Sequence, residues 1–411
     1  MNDTKLYEQI LGLQPPWAVQ TVTLRKDTRE IEVQVVCTET VWGCPTCGRG
    51  MHLHGSEPRR WRHLDSCQYK TIIIADVPRV KCSEHGTQTV RVPWAEKHGR
   101  FTALFERLAI DLLQECSVSA ACEILRISWD EADGIKQRAV DRGLARRPAQ
   151  PMKRLCIDEK AVGWGHQYMT VVSCADGPQA RVVALEDDRE EASLNRFWSA
   201  LSPDQRAAVE TVAMDMWEPY RTSTLRYVPG AAQKIVYDNF HLARHMNQAV
   251  DEVRRSEQTQ MATMEANPLK GSRQLWLYGF ENLPRKWSAR FKALRDLATK
   301  TAKAWKVKEL LRSFWHCADE TDALAFFKRW CRDAVSTRLD PVKKVVRLFK
   351  KHWNNIVTFF RYHLSNATSE GINSRIQHLI QKACGYRTRA RFKRDVLFHL
   401  GALDLYPTHS Q

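Results

Sequence analysis

The spacing of apolar residues changes several times along the chain, and each change marks a boundary. Residues 1–100 carry β-branched runs (TVTLRK, IEVQVVC, YKTIIIADV) interrupted by Gly, Pro and Cys, which predicts small β-structure. Around Phe101 the period becomes helical, with Phe101, Leu104, Phe105, Leu108, Leu112 and Leu113 on one stripe. A break at ECSVS precedes AACEIL, and Ser128-Trp-Asp-Glu131 is a capping box opening a helix to about Leu144. ARRPAQP, ending at Pro151, reads as a linker. From Lys153, RLCIDEKAVG, QYMTVVSCADG and ARVVALEDD predict three successive strands in an antiparallel meander. A helix (ASLNRFWSAL), a strand (VETVAMDM), a short helix and a last strand (QKIVYD) follow, an order that suits an α+β sheet with helices packed on it. Residues 239–365 read as entirely helical; NATSEGINSRIQHLI opens another helix, and the basic GYRTRARFKR leads into a closing one.

Charge narrows the choice of partner. The chain has 411 residues, enough for two to four domains, and a formal net charge of +16 with a pI near 9.4. Residues 239–365 hold 25 Lys and Arg against 12 Asp and Glu, so +13 of that excess lies in the helical stretch. A basic excess of this size points to a polyanion, for which nucleic acid is the usual choice. The opening MNDTKLYEQI lacks the apolar core of a secretory signal, and no apolar run approaches the roughly 20 residues of a membrane helix. Twelve scattered cysteines suit a reducing compartment better than a disulfide framework, so a cytoplasmic location is expected.

Two knuckles stand out near the N-terminus. Cys44-Pro-Thr-Cys47-Gly and Cys82-Ser-Glu-His85-Gly each offer two ligands three residues apart, with a glycine to turn the chain. Three thiolates and an imidazole complete a closed tetrahedral zinc site, and four occupied positions make the metal structural. The intervening RRWRHLDSCQYKTIIIADVPRVK is the hairpin expected to join the knuckles; Cys37, Cys67, His52, His54 and His63 are the competing ligands. The three short helices that follow suit a helix-turn-helix. Its last helix carries Lys136, Gln137, Arg138 and Arg142, residues expected to face DNA in a major groove.

Three apolar strands end in acids: Asp158 after RLCI, Asp215 after VETVAM and Asp238 after QKIVY. An unpaired buried carboxylate is costly, so such acids either face solvent or bind something. Glu370 lies in the first turn of a helix whose polar face also carries Asn373, Ser374, Gln377 and Gln381, opposite Ile372, Ile376 and Leu379. Two aspartates and a glutamate from separate elements suit Mg²⁺, a hard cation that prefers oxygen. Acids merely facing solvent would show the same spacing. Glu186-Asp187-Asp188 reads as a solvated turn before a helix.

IDEK around Asp158, MDMW around Asp215, YDNFHLARHMNQAVD from Tyr237 and SEGINSRIQ around Glu370 resemble the ISL-three family of bacterial insertion-sequence transposases. So do the CPTCG and CSEHG knuckles, although a fourth cysteine is the commoner ending where this chain has His85. The resemblance implies a multidomain α+β protein. A zinc-finger or zinc-ribbon-like β module is expected over 1–100 and a helix-turn-helix over 101–150. A ribonuclease-H-like catalytic core follows over 151–238 and 366–411, a mixed sheet with helices, interrupted by an all-helical basic insertion over 239–365. It further implies a DDE transposase with Asp158, Asp215 and Glu370 as ligands of catalytic Mg²⁺ or Mn²⁺, and Asp238 as the acid most able to displace Asp215. His241 either approaches the scissile phosphate or packs against the sheet. Asn373, Arg375, Lys343, Lys344, Lys350 and Lys351 are expected to contact DNA backbone, the partners being transposon ends, target DNA and at least a second copy of the chain. A zinc and helix-turn-helix transcription regulator would explain only the first 150 residues. A structure-specific nuclease of the same catalytic fold would not need the N-terminal modules.

Overall fold

The computed structural model describes residues 3–163, 167–237, 239–262, 267–297, 299–364 and 367–408. Contacts divide the chain into two compact units, Met1–Pro148 with Leu379–Gln411, and Ala149–His378.

The first unit opens with α1 (Asp3–Ile10), β1 (Trp17–Arg25), β2 (Glu30–Cys37), β3 (Val41–Gly43), β4 (Gly50–Arg62), β5 (Lys70–Cys82) and β6 (Gly86–Thr89). The strands form a sheet in the order β1-β2-β5-β4-β3, with β6 paired to β5. β4 and β5 are the antiparallel hairpin expected between the knuckles, and β2 lies parallel to β5. Val33, Val35, Trp61, Ile73, Ala75, Val77 and Val80 form the core, with Trp94 edge-on to both Trp17 and Trp61 at 4.9 and 5.4 Å. Helix α1 was not foreseen. None of its side chains is fully buried; Tyr7 packs against the core of the sheet, and Glu8 Oε1 accepts the Val19 amide at 3.0 Å.

Helices α2 (Ala103–Glu115), α3 (Val118–Leu125) and α4 (Trp129–Arg146) follow, each capped by a hydroxyl: Thr102, Ser117 and Ser128 accept amides of the first turn. The capping box of Ser128 and Glu131 is complete.

In the second unit, β7 (Arg154–Gly163), β8 (Gln167–Cys174) and β9 (Arg181–Asp187) are the expected antiparallel meander. After α5 (Glu191–Ala200), α6 (Pro203–Ala207), β10 (Thr211–Met214), α7 (Glu218–Tyr227) and β11 (Ile235–Tyr237), the sheet is complete in the order β11-β10-β7-β8-β9. β10 runs parallel to both β7 and β11, giving the mixed sheet of a ribonuclease-H-like fold. Glu186 and Asp187 close strand β9 instead of forming the expected turn, because β9 pairs with β8 as far as Glu186.

The following stretch is helical as expected: α8 (Asn239–Gln260), α9 (Arg273–Leu277), α10 (Ser288–Asp296), α11 (Lys300–Arg312), α12 (Glu320–Ser336), α13 (Asp340–Lys351), α14 (Trp353–Val357) and α15 (Phe359–Tyr362). One continuous hydrophobic cluster runs from Leu155, Ile157 and Val212 in the sheet to Trp276, Trp330 and Phe349 in these helices. Helix α16 (Ala367–Lys382) then begins in the second unit and ends in the first, where α17 (Arg389–Leu400) packs on α4. Leu379–Gln411 thus clusters with the N-terminal unit, whereas the sequence grouped it with the catalytic core.

Candidate functional site

The two knuckles meet. Ligand atoms of Cys44, Cys47, Cys82 and His85 all lie within 4.8 Å of one another, and they are the one such His, Cys or acid cluster among the described residues. Cys47 Sγ is 3.9 Å from Cys82 Sγ; His85 Nδ1 is 3.5 Å from Cys82 Sγ and 4.0 Å from Cys44 Sγ. Four ligands about 2.3 Å from a common tetrahedral ion would stand about 3.8 Å apart, so the separations are those of a tetrahedron's edges. Backbone N–H groups of Cys47 and Thr46 hold the Cys44 thiol below its ordinary value, and those of Glu84 and His85 do the same for Cys82. One thiolate in each knuckle is therefore favoured, while the Cys47 thiol is pushed up, against the Arg49 amide, by burial and by the neighbouring Cys44 and Cys82. Of the competitors, His63 is buried with Nδ1 2.9 Å from the capping Thr102 hydroxyl, and Cys67 is exposed; Cys37, His52 and His54 are likewise outside the cluster.

The helix-turn-helix corrects the sequence reading. Lys136 is 3 % exposed and ion-paired with Asp395 of α17. Arg142 is also buried: its guanidinium donates to Glu96 at 2.8 Å, to Glu106 at 3.2 Å and to the Leu405 carbonyl. Arg138 reaches Glu106 at 2.9 Å. Only Gln137 keeps an exposed side chain, bonded to Asp141 at 2.8 Å and Arg394 at 2.9 Å. The C-terminal segment lies on this face of α4, so Lys136 and Arg142 serve the interior rather than a groove. Gly143 marks the closeness of the approach, since a Cβ there would meet Leu403 Cβ at 2.6 Å.

Strand alternation positions the carboxylates. Leu155, Ile157, Val212 and Met214 point into the main core, whereas Cys156 and Ala213 point to the opposite face, where they pack with Leu364. Asp158 and Asp215, each two residues further on, belong to that second face. Ala213 is paired with Cys156 in the parallel register, and Asp215 and Asp158 each lie two residues beyond that pair. Adjacent strands are about 4.8 Å apart.

Helix α16 crosses the same face. Asn373 Nδ2 donates to Asp158 Oδ2 at 2.8 Å, while Lys160 Nζ donates to the Asn373 carbonyl at 3.2 Å and to Gln377 Oε1 at 2.9 Å. Glu370 is one turn before Asn373 on the same helical face and is exposed; Ile372 and Ile376 are buried on the other. Glu370 lies in the first turn of α16.

Asp158 is only 8 % exposed, and its Oδ1 accepts the Glu159 amide at 2.8 Å. Asp215 Oδ1 accepts the Met216 amide at 2.6 Å, and its Oδ2 is 3.4 Å from His241 Nδ1, in the first turn of α8. His241 therefore sits against a carboxylate instead of merely packing on the sheet. Asp238 lies outside the described residues. Lys160 was missed by sequence reasoning, although its place two residues after Asp158 on one strand was the available signal. Burial lowers its affinity for a proton and Asp158 raises it.

The basic residues of α13 form one face. Lys344, Arg347, Lys350 and Lys351 are exposed and Lys343 is half-buried beside Asp340, opposite the buried Val342, Val345, Val346 and Phe349. Arg375 is exposed on α16.

A transposase family model matches residues 155–396, more than half the chain. The chain belongs to the ISL3 transposase family. A zinc-finger model of transposases of this kind matches residues 40–85 and so includes all four clustered ligands of this transposase. The helix-turn-helix model of the ISL3 family matches residues 90–140, ending inside α4. The transposase for insertion sequence element IS1557 of Mycobacterium tuberculosis is 26% identical over 419 residues, covering 94% of this chain and 93% of that protein. The transposase for insertion sequence element IS1001 of Bordetella parapertussis is 25% identical over 398 residues, covering 95% and 97%. Among the described residues, no helix of this transposase is long and apolar enough to cross a membrane.

Proposed function

We propose that this transposase binds the terminal inverted repeats of an insertion sequence, hydrolyses phosphodiester bonds at its ends and joins the freed 3′ ends to target DNA. The observation that supports the reading is the parallel pairing of Ala213 with Cys156, each two residues before an aspartate, on the sheet face that Asn373 of the Glu370 helix reaches. Asp158, Asp215 and Glu370 are the residues that hold divalent cations, Mg²⁺ or Mn²⁺. When bound, such cations activate the attacking oxygen and stabilise the leaving oxygen of the phosphodiester. The donor set fits: three hard carboxylates, with Asn373 Oδ1 beside them, buried and without a hydrogen-bond partner. Asn373 orients Asp158, Lys160 fixes the α16 helix to the strand, and His241 orients Asp215.

The four knuckle residues hold structural zinc, which stiffens the N-terminal sheet. The basic face of α13 and Arg375 meet DNA backbone, and two copies act together because two ends must be cut.

The test is cleavage and strand transfer on duplexes that carry the element's ends. Asp158→Asn, Asp215→Asn and Glu370→Gln are each expected to lose both activities while DNA binding persists. A fully active variant at any of the three positions would remove that residue from the set.

A further inference from the structure

An aromatic surface stands next to the carboxylates, and the chemistry assigned above does not use it. Trp217 follows Asp215 by two residues, so its Cα is within about 7 Å of that of Asp215. It is 38 % exposed, whereas Trp198, Trp276 and Trp330 in the same unit are at most 2 % exposed. Exposure of this kind usually accompanies a mobile ring, but here the ring is fixed. Its Nε1–H donates to the Arg189 carbonyl at 2.9 Å, and the Arg189 guanidinium lies 4.8 Å from the ring centroid. The same guanidinium lies 4.3 Å from the Tyr168 ring and pairs with Glu159 Oε2 at 2.9 Å. The cluster is thus anchored to both catalytic strands: Glu159 follows Asp158 and Trp217 follows Asp215.

We propose that Trp217 is a base-stacking platform, which receives on its open side a nucleobase drawn out of the duplex next to the cleaved phosphate. This rests on the reading of Asp158 and Asp215 as the cutting site. DNA rises 3.4 Å per base along a strand, so a residue whose Cα is within about 7 Å of that of Asp215 is a few base steps at most from a phosphate held there. Every base has a π-face, so the platform accepts any of the four. Its ordering by Arg189 means that no ring motion has to be frozen when the base arrives. An extruded base next to the cut gives the strand the slack to bend its phosphate towards the carboxylates.

The experiment compares Trp217→Ala, Trp217→Phe and Trp217→Met on duplexes carrying the element's terminal repeat and flank. One duplex set is fully paired; the other is mismatched at the bases beside the cut. Loss of one stacked base is expected to slow cleavage of paired ends about five- to hundredfold in the Ala and Met proteins. Phe, which keeps a ring without the indole N–H, should stay near wild type. Mismatched ends should restore the Ala and Met proteins, because unpairing then costs little. Equal losses on both duplexes, or Phe and Met behaving alike, would overturn the proposal. A second readout needs no cutting: 2-aminopurine beside the cut, in complexes of Asp158→Asn, should change emission with Trp217 present and not with Trp217→Ala. If Asp158→Asn cuts normally, the carboxylate assignment fails, while the 2-aminopurine comparison still decides the stacking.

Discussion

Replacing Asp395 with Asn leaves the shape of the α17–α4 contact intact and removes one charge from it. The Lys136 ammonium, whose side chain is 4 % exposed, then loses its ion-pair partner and keeps the Phe398 ring, 5.3 Å away, and the longer-range attraction of Asp133. The new side-chain amide would still accept from the Tyr386 hydroxyl, which reaches Asp395 Oδ2 at 3.1 Å in the wild type. Burial already holds Lys136 below the ordinary lysine value, with Asp395 pulling it back. Breaking a buried pair in this way costs about 3–5 kcal/mol. A chain of two units does not unfold as one, so hydrogen exchange of the α4 and α17 amides is the suitable assay. At about 1.4 kcal/mol per decade, exchange governed by opening of this contact should accelerate by roughly two to four decades. The double variant Lys136→Met with Asp395→Leu should recover most of the loss, since an apolar pair of similar volume avoids both desolvation costs. Its preference among end sequences should equal the wild type's. Unchanged exchange in Asp395→Asn, or altered end preference in the double variant, would refute the argument and return Lys136 to the DNA-facing role read from the sequence.

Two further outcomes are expected. The purified protein should contain about one zinc per chain by elemental analysis, and Cys44→Ser or Cys82→Ser should lose it and weaken DNA binding; full retention in both variants would remove the assignment. Affinity for transposon ends should fall steeply with salt, and charge reversal at Lys343, Lys344, Lys350 and Lys351 should weaken binding to all sequences alike, so a change in sequence preference would give this face a reading role.

How much of this was legible depended on whether the pattern was local. The knuckles, the Ser128 capping box and the strand that ends just before Asp215 are set by neighbouring residues, and each is where the sequence put it; Asp158, expected at a strand end, lies instead within β7, which runs on to Gly163. The environment of α4 was not local. Lys136 lies within the stripe Ala132, Ile135, Ala139, Val140 and Gly143, all buried, yet a lysine on a helix reads as exposed until its partner is known. That partner is Asp395, more than two hundred residues later, on a helix whose buried positions include Phe392, Val396 and Phe398. An acid inside one apolar stripe and lysine inside another are complementary signals, but the sequence does not state which helices meet. The pairing of Asn373 with Asp158 was hidden for the same reason. Asn373 was expected on DNA, and its distance in sequence from the strand concealed the contact.

The long helical insertion bears on the site through its end as well as its charge. β11 is the edge of the catalytic sheet, and an uncovered edge presents unpaired carbonyls and amides. Here the last helices of the insertion close it: Asn355 Nδ2 donates to the carbonyls of Ala232 and Ile235 at 2.9 and 3.2 Å, and the Thr358 hydroxyl donates to Ile235 at 2.7 Å. His352 meets the Tyr237 ring edge-on at 5.3 Å. From that anchorage the chain continues through Leu364, which packs on Cys156 and Ala213 beneath the two aspartates, and enters the Glu370 helix. The segment that precedes the Glu370 helix is thus held by hydrogen bonds to the edge strand and, at Leu364, by apolar contact with the strands that carry Cys156 and Ala213. Because the insertion shares one continuous core with that sheet, it is part of the scaffold of the proposed site as well as a basic surface.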